Sequence, residues 1–148
     1  MRIYIDTSVF GGCFDKEFEE WSVGLFDQIR AGLHRAVISD ISEAELSVAP
    51  EQVRQVLKEL KPKYLDVMRL SPEAEALAAA YIKERIVTKK SELDTQHIAI
   101  ATIAQVDLLV SWNFKHIVNY NRIRLYNAVN LKLGYRLLEI RSPRDLTA

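Results

Sequence analysis

Three acids stand out by type and position: Asp6, Glu45 and Asp94. Asp6 is the first polar residue after the apolar run Ile3, Tyr4, Ile5. A carboxylate there projects beyond the end of a strand, where open parallel sheets gather their sites, although Asp is also common as a turn cap. Glu45 falls in a helical stretch over 41–48. At about 100° per residue, Ile41, Ala44 and Val48 share one face, Glu45 flanks it and Glu43 points away, with Leu46 on the outer side. A plain amphipathic helix with solvated glutamates has the same pattern. Asp94 follows Ser91 by three residues and opens an Ile- and Ala-rich helix, which reads as a capping box or as a charge at the mouth of an apolar element. His97, one turn on, reads as a packed or hydrogen-bonded histidine, because no Cys or second His stands at zinc-ligand spacing. Oxygen-only acids suit Mg²⁺ or Mn²⁺. Such ions activate water and steady the charge on a phosphate under attack.

These acids need elements to bring them together. Strands are expected over 2–5, 35–39, 65–70, 107–111 and 136–140, from short apolar runs closed by turn residues. Asp6-Thr7-Ser8 and the Gly11-Gly12 pair read as a turn. Helices are expected over 16–31, 41–48, 51–60, from Ser71 onward with Ser71 as cap and Pro72 at the first position, and over 91–105 and 119–131. Strands alternating with helices imply an α/β, three-layer fold: a largely parallel five-stranded sheet flanked by helices.

Composition narrows the classes. The 148 residues fit a single domain, 1–148, and 49% are apolar. With 27% charged and only nine Gly or Pro residues, a disordered tail, a collagen-like repeat and a disulfide miniprotein are excluded. The single cysteine, Cys13, points to a reducing compartment, and no apolar run suits a leader or a membrane span, so a cytoplasmic protein is expected. Twenty basic and twenty acidic side chains balance to zero, which argues against non-specific gripping of nucleic acid. A nuclease stays open, since an acidic cluster would mask basic residues in the sum.

Four segments, Ile5-Asp6-Thr7-Ser8, Ile41-Ser42-Glu43-Ala44-Glu45-Leu46, Asp94-Thr95-Gln96-His97-Ile98-Ala99 and Ser111-Trp112-Asn113-Phe114, resemble the four ordered motifs of the PIN-domain ribonucleases, in their VapC-like toxin branch. The likeness spans about residues 2–119. It implies a magnesium-dependent endoribonuclease with Asp6, Glu45 and Asp94 as metal-holding acids, a homodimer, and a small antitoxin partner. Asn113 stands where the family often has a fourth acid. It supplies a hydrogen bond but no charge, which puts a second metal in doubt and suits it to orienting water. The Ser8 and Ser111 hydroxyls are placed to hold the acids from behind, or to close turns. Lys89, Lys90, Lys115 and Arg122 (with His116 and Arg124 nearby) could track an RNA backbone, with Trp112 or Phe114 as a stacking face. A solvated surface explains the lysines equally well.

The reading that follows is hydrolysis of RNA phosphodiester bonds by the toxin of a type II toxin–antitoxin pair. Two rivals stand beside it. One is a silent PIN-fold module that binds RNA or protein. The other is a haloacid-dehalogenase-like phosphatase, whose second acid would fall where this chain has Ser8.

Overall fold

The computed structural model describes residues 1–147. Its centre is a sheet of β1 (Arg2–Ile5), β2 (Arg35–Ser39), β3 (Leu65–Met68), β4 (Leu108–Val110) and β5 (Ile140–Arg141). The strands pair in parallel in the order β3-β2-β1-β4-β5, with Tyr4 opposite Val37 on one side and Leu109 on the other. Period-two alternation divides the core into two layers. Tyr4, Val37, Leu109 and Ile140 face α5 (Pro72–Lys83), α6 (Glu92–Ile103) and α7 (Tyr120–Lys132). Ile3, Ile5, Ala36, Ile38, Leu108 and Val110 face the opposite layer, α1 (Thr7–Gly12), α2 (Glu19–Arg30) and α4 (Glu51–Lys58). Helix α3 (Asp40–Ser47) straddles the sheet's end, with Leu46 in the second layer and Ile41 against the first. Helix α8 (Pro143–Thr147) packs on α2. The architecture is the α/β, three-layer one expected. Among the described residues no helix is long and apolar enough to cross a membrane.

Local expectations fail where side chains from afar intervene. Thr7–Gly12 is a helix rather than a turn. A Cβ on Gly12 would lie 2.5 Å from Ser22 Oγ and 2.8 Å from Trp112 Nε1, so this glycine serves close packing. The inward face of α3 is Ser42 and Leu46, while Ala44 and Val48 are exposed. The reciprocal capping bonds of Ser39 and Ser42 turn Ser42 inward, and burying Leu46 removes more apolar surface than burying Ala44. Glu45 is still half-buried and Glu43 exposed, so the two glutamates are told apart as expected. Ser91 ends a 3₁₀ turn (Lys89–Ser91) and its side chain caps nothing, so the Ser91–Asp94 capping box does not form. The last strand is confined to Ile140–Arg141. Before it, the Asn127 amide takes both the N–H and the C=O of Leu138, at 2.8 and 3.1 Å, and so replaces a sheet partner there.

Candidate active site

The switch between the two halves of the sheet lies where β1 pairs with both β2 and β4. The Asp6 backbone N–H extends the β1–β4 ladder by one bond, to Val110 O. Asp6 occupies the N-cap position of α1 yet makes no capping bond. Its Oδ2 instead accepts from Ser8 Oγ at 2.6 Å and Ser111 Oγ at 2.8 Å. Each hydroxyl accepts in turn from a backbone N–H, Ser8 from Trp112 and Ser111 from Asn113. The pair thus ties the ends of β1 and β4 together, with both serine hydroxyls donating to Asp6. Trp112, anchored on Ser22 through Nε1 and stacked on Phe18 at 4.2 Å, fixes this corner.

Glu45 comes from α3. Its Oε2 accepts from Thr7 Oγ1 at 3.3 Å, and its Oε1 lies 2.5 Å from His97 Nε2. The His97 ring, 1% exposed, has Nδ1 2.6 Å from the Tyr4 hydroxyl, which donates to Ser39 Oγ at 2.8 Å. Ser39 caps α3, so the helix that carries Glu45 and the histidine that holds it share one buried network. Burial opposes charge on His97, but the Glu45 bond and the fields of Asp6, Glu45 and Asp94 outweigh it, so the ring keeps its proton above the usual histidine range. The packed, hydrogen-bonded histidine read from sequence is right. What the sequence missed is its partners, Glu45 and Tyr4.

Asp94 lies in the first turn of α6, half-buried. Burial raises its carboxyl above the usual range, Asp6 and Glu45 push the same way, and His116 and His97 pull it back. The three acids therefore share one field. Its Oδ2 accepts from Asn113 Nδ2 at 3.3 Å. The Asn113 Oδ1 accepts from the N–H groups of Lys115 and His116, which leaves the amide nitrogen to face Asp94. Asn113 thus touches the site by donating to an acid.

The basic candidates scatter. Lys89 and Lys90 are exposed on the 3₁₀ turn before α6, with Lys89 lining a groove beside Glu75 and Glu92. Lys115 is exposed. Arg122 is half-buried and donates to Ile86 O at 2.7 Å. Phe114 is half-exposed and edge-on to Trp112. Among the described residues, no three His, Cys, Asp or Glu side chains converge closely enough to enclose a metal ion.

No protein-family model matches the sequence, and no curated protein matches it. Solved structures do. VapBC2 from Rickettsia felis, bound to a DNA fragment from their promoter, superposes with a TM-score of 0.57 at 13% identity over 96% of this chain and 98% of its own. VapC20 from Mycobacterium tuberculosis, a Sarcin-Ricin loop cleaving toxin, gives 0.60 at 10% identity over 93% and 98%. FitAcB from Neisseria gonorrhoeae gives 0.59 at 15% identity over 96% and 98%. At such identities likeness speaks for the fold, and with the strand order above it leads to one statement: this chain has the fold of the VapC-like PIN domains.

Proposed function

We propose that this chain is a Mg²⁺- or Mn²⁺-dependent endoribonuclease and the toxin of a type II toxin–antitoxin pair, working as a homodimer that a small antitoxin protein neutralises. One observation carries the reading: hydrogen bonds gather the three acids at the C-terminal edge of the sheet, Asp6 through Ser8 and Ser111, Asp94 through Asn113, whose backbone N–H bonds Ser111 Oγ, and Glu45 through Thr7, the neighbour of Asp6. The fold adds support, because VapC20, which shares it, is a Sarcin-Ricin loop cleaving toxin.

The donor chemistry fits a hard divalent cation. All three candidates offer carboxylate oxygens, and Asp6 Oδ1 and Asp94 Oδ1 take no hydrogen bond from any described residue. Asp6 and Asp94 would hold the ion directly, with Glu45 joining through water or on leaving His97. When bound, such an ion supplies Lewis acidity and charge neutralisation at a phosphate. The chain's own groups do the rest. Ser8 and Ser111 orient Asp6 through one oxygen and leave the other to the ion. The Asn113 amide steadies Asp94 as an anion, and His97 fixes the carboxylate of Glu45.

A second reading, a binding module without activity, draws on one feature: both Glu45 oxygens are already engaged, by His97 and Thr7. No observation favours the phosphatase, whose second acid is replaced here by Ser8, a donor to Asp6. Cleavage of a fluorogenic RNA, titrated with Mg²⁺ and Mn²⁺ and stopped by EDTA, separates the two. The nuclease reading expects activity that Asp6→Asn and Asp94→Asn remove. Equal cleavage in EDTA, or none at any metal concentration, refutes it.

A further inference from the structure

Beside the candidate active site lies a cavity of about 400 Å³ lined by Ile82, Arg85, Ile86, Val87, Thr88, His116 and Arg122. That volume suits a small organic ligand. Two arginines and a histidine line it, and no acid does, in a chain whose net charge is zero. The rest of its wall is Thr88 and the apolar Ile82, Ile86 and Val87. One buried polar atom of a lining residue is orphaned. Among the described residues, His116 Nδ1 is the buried side-chain nitrogen or oxygen that has no hydrogen-bond partner. Such an atom costs roughly 1–3 kcal/mol until something satisfies it.

The cations are prepared for an anion. Arg122 is pinned through Nη1 to Ile86 O, and no described residue accepts from its Nε or Nη2. The Arg85 guanidinium has no hydrogen-bond or ion-pair partner among the described residues. Its backbone closes α5 in the left-handed region at φ 58°, where glycine is the usual residue and another side chain costs about 1 kcal/mol. The cavity also adjoins the acids. The His116 backbone N–H binds Asn113 Oδ1, and the Asn113 amide binds Asp94.

We infer that this cavity is a nucleotide subsite: Arg85, Arg122 and His116 take the phosphate of an RNA nucleotide next to the one cut, and Ile82, Ile86 and Val87 take the flat face of its sugar and base. The inference rests on the endoribonuclease reading.

The test is NMR titration of the full chain in EDTA with each 5′-nucleoside monophosphate, inorganic phosphate, the free nucleosides and an oligoglutamate peptide. Shifts at His116, Thr88 and Arg122 are expected to saturate with at least one monophosphate, at a Kd about tenfold or more below those for phosphate and nucleoside, as two joined contacts require. Binding of a non-cleavable 2′-O-methyl RNA is expected to fall roughly three- to tenfold in Arg85→Gly and in Arg122→Gln. Each loss should lower the salt slope by about 0.7 per phosphate contact. Arg85→Gly keeps the test independent of folding, since relief of the left-handed strain leaves Tm no lower than in the wild type. Arg136→Gln, near Gln105 at the opposite edge of the sheet, should bind RNA normally. Saturation elsewhere, equal affinity for inorganic phosphate, equal competition by the peptide, or wild-type RNA binding in both arginine variants overturns the inference. Metal-dependent cleavage is scored separately. If the monophosphate fills the cavity but wild type cuts no RNA, the nuclease reading falls and the place beside a cut falls with it, leaving a nucleotide-binding cavity; cleavage with an empty cavity overturns the subsite and leaves the nuclease reading standing.

Discussion

His97 is the residue whose loss should reveal how the site is held. Its ring is 1% exposed, bonds Glu45 through Nε2, meets the Tyr4 hydroxyl through Nδ1 and packs edge-on to the Tyr4 ring at 5.7 Å. A hydrogen bond to a charged group is worth about 1.5–3 kcal/mol, and an edge-on aromatic contact about 0.5–1.5 kcal/mol. With the cavity left behind, His97→Ala should cost about 3–5 kcal/mol, the range seen when one partner of a buried pair is removed. In a domain of this size, that lowers Tm by roughly 6–20 °C. His97→Gln retains volume and one donor but no charge, so it should lose less. The two also differ in pH dependence. The folded imidazole is held above its unfolded value of about 6.5, so folding takes up a proton in that window. The charge-dependent stabilisation is complete below pH 6.5 or so and fades as pH rises through the folded value. Circular-dichroism melts in EDTA should show the gap between wild type and His97→Gln widest at pH 6 and narrower at pH 8.5. A gap that does not change with pH, or a His97→Ala protein within about 2 °C of wild type, would refute the argument.

Three further outcomes are expected. Burial and the neighbouring Asp6 hold the Asp94 carboxyl above its ordinary range, so its ionisation near neutrality opposes folding; Asp94→Asn should raise Tm in EDTA at pH 7 by roughly 2–4 °C and abolish any further rise with Mg²⁺. Glu45→Gln should remove cleavage, whereas Glu43→Gln, on the exposed side of α3, should leave the rate within about twofold, because surface changes rarely matter; equal losses in a fluorogenic RNA assay would show that Glu45 has no special role. Asn113→Asp keeps an oxygen for the Lys115 and His116 N–H groups but turns a carboxylate towards Asp94, so Tm in EDTA should fall by about 1 kcal/mol's worth, roughly 2–4 °C, and the Mg²⁺ midpoint should drop. An unchanged midpoint in a calorimetric titration would remove Asn113 from the site.

Most of the framework was legible because it is written in short-range periodicity. Ile3, Tyr4 and Ile5 alternate between the two faces of a strand whatever lies around them, and Ser71 followed by Pro72 starts a helix by satisfying its first N–H groups locally. The positions of Asp6, Glu45 and Asp94 at element ends follow from the same local rules, as does the difference between Glu45 and Glu43. Other features depend on residues far away in the chain. Gly12 looks like a turn residue until Ser22 and Trp112 are placed against it, and residues 136–139 look like a strand until Asn127 claims the N–H and C=O of Leu138. Likewise Asp6 and Asp94 each had a capping role available locally and took neither, because Ser111 and Asn113 offered partners from across the sheet. The bond between His97 and Glu45 spans 52 residues, and that between His97 and Tyr4 spans 93. Sequence specifies which groups can bond and which faces must be buried. Which distant groups meet is settled only when two packed layers close on the sheet, since burial then makes nearly all polar groups between them find partners.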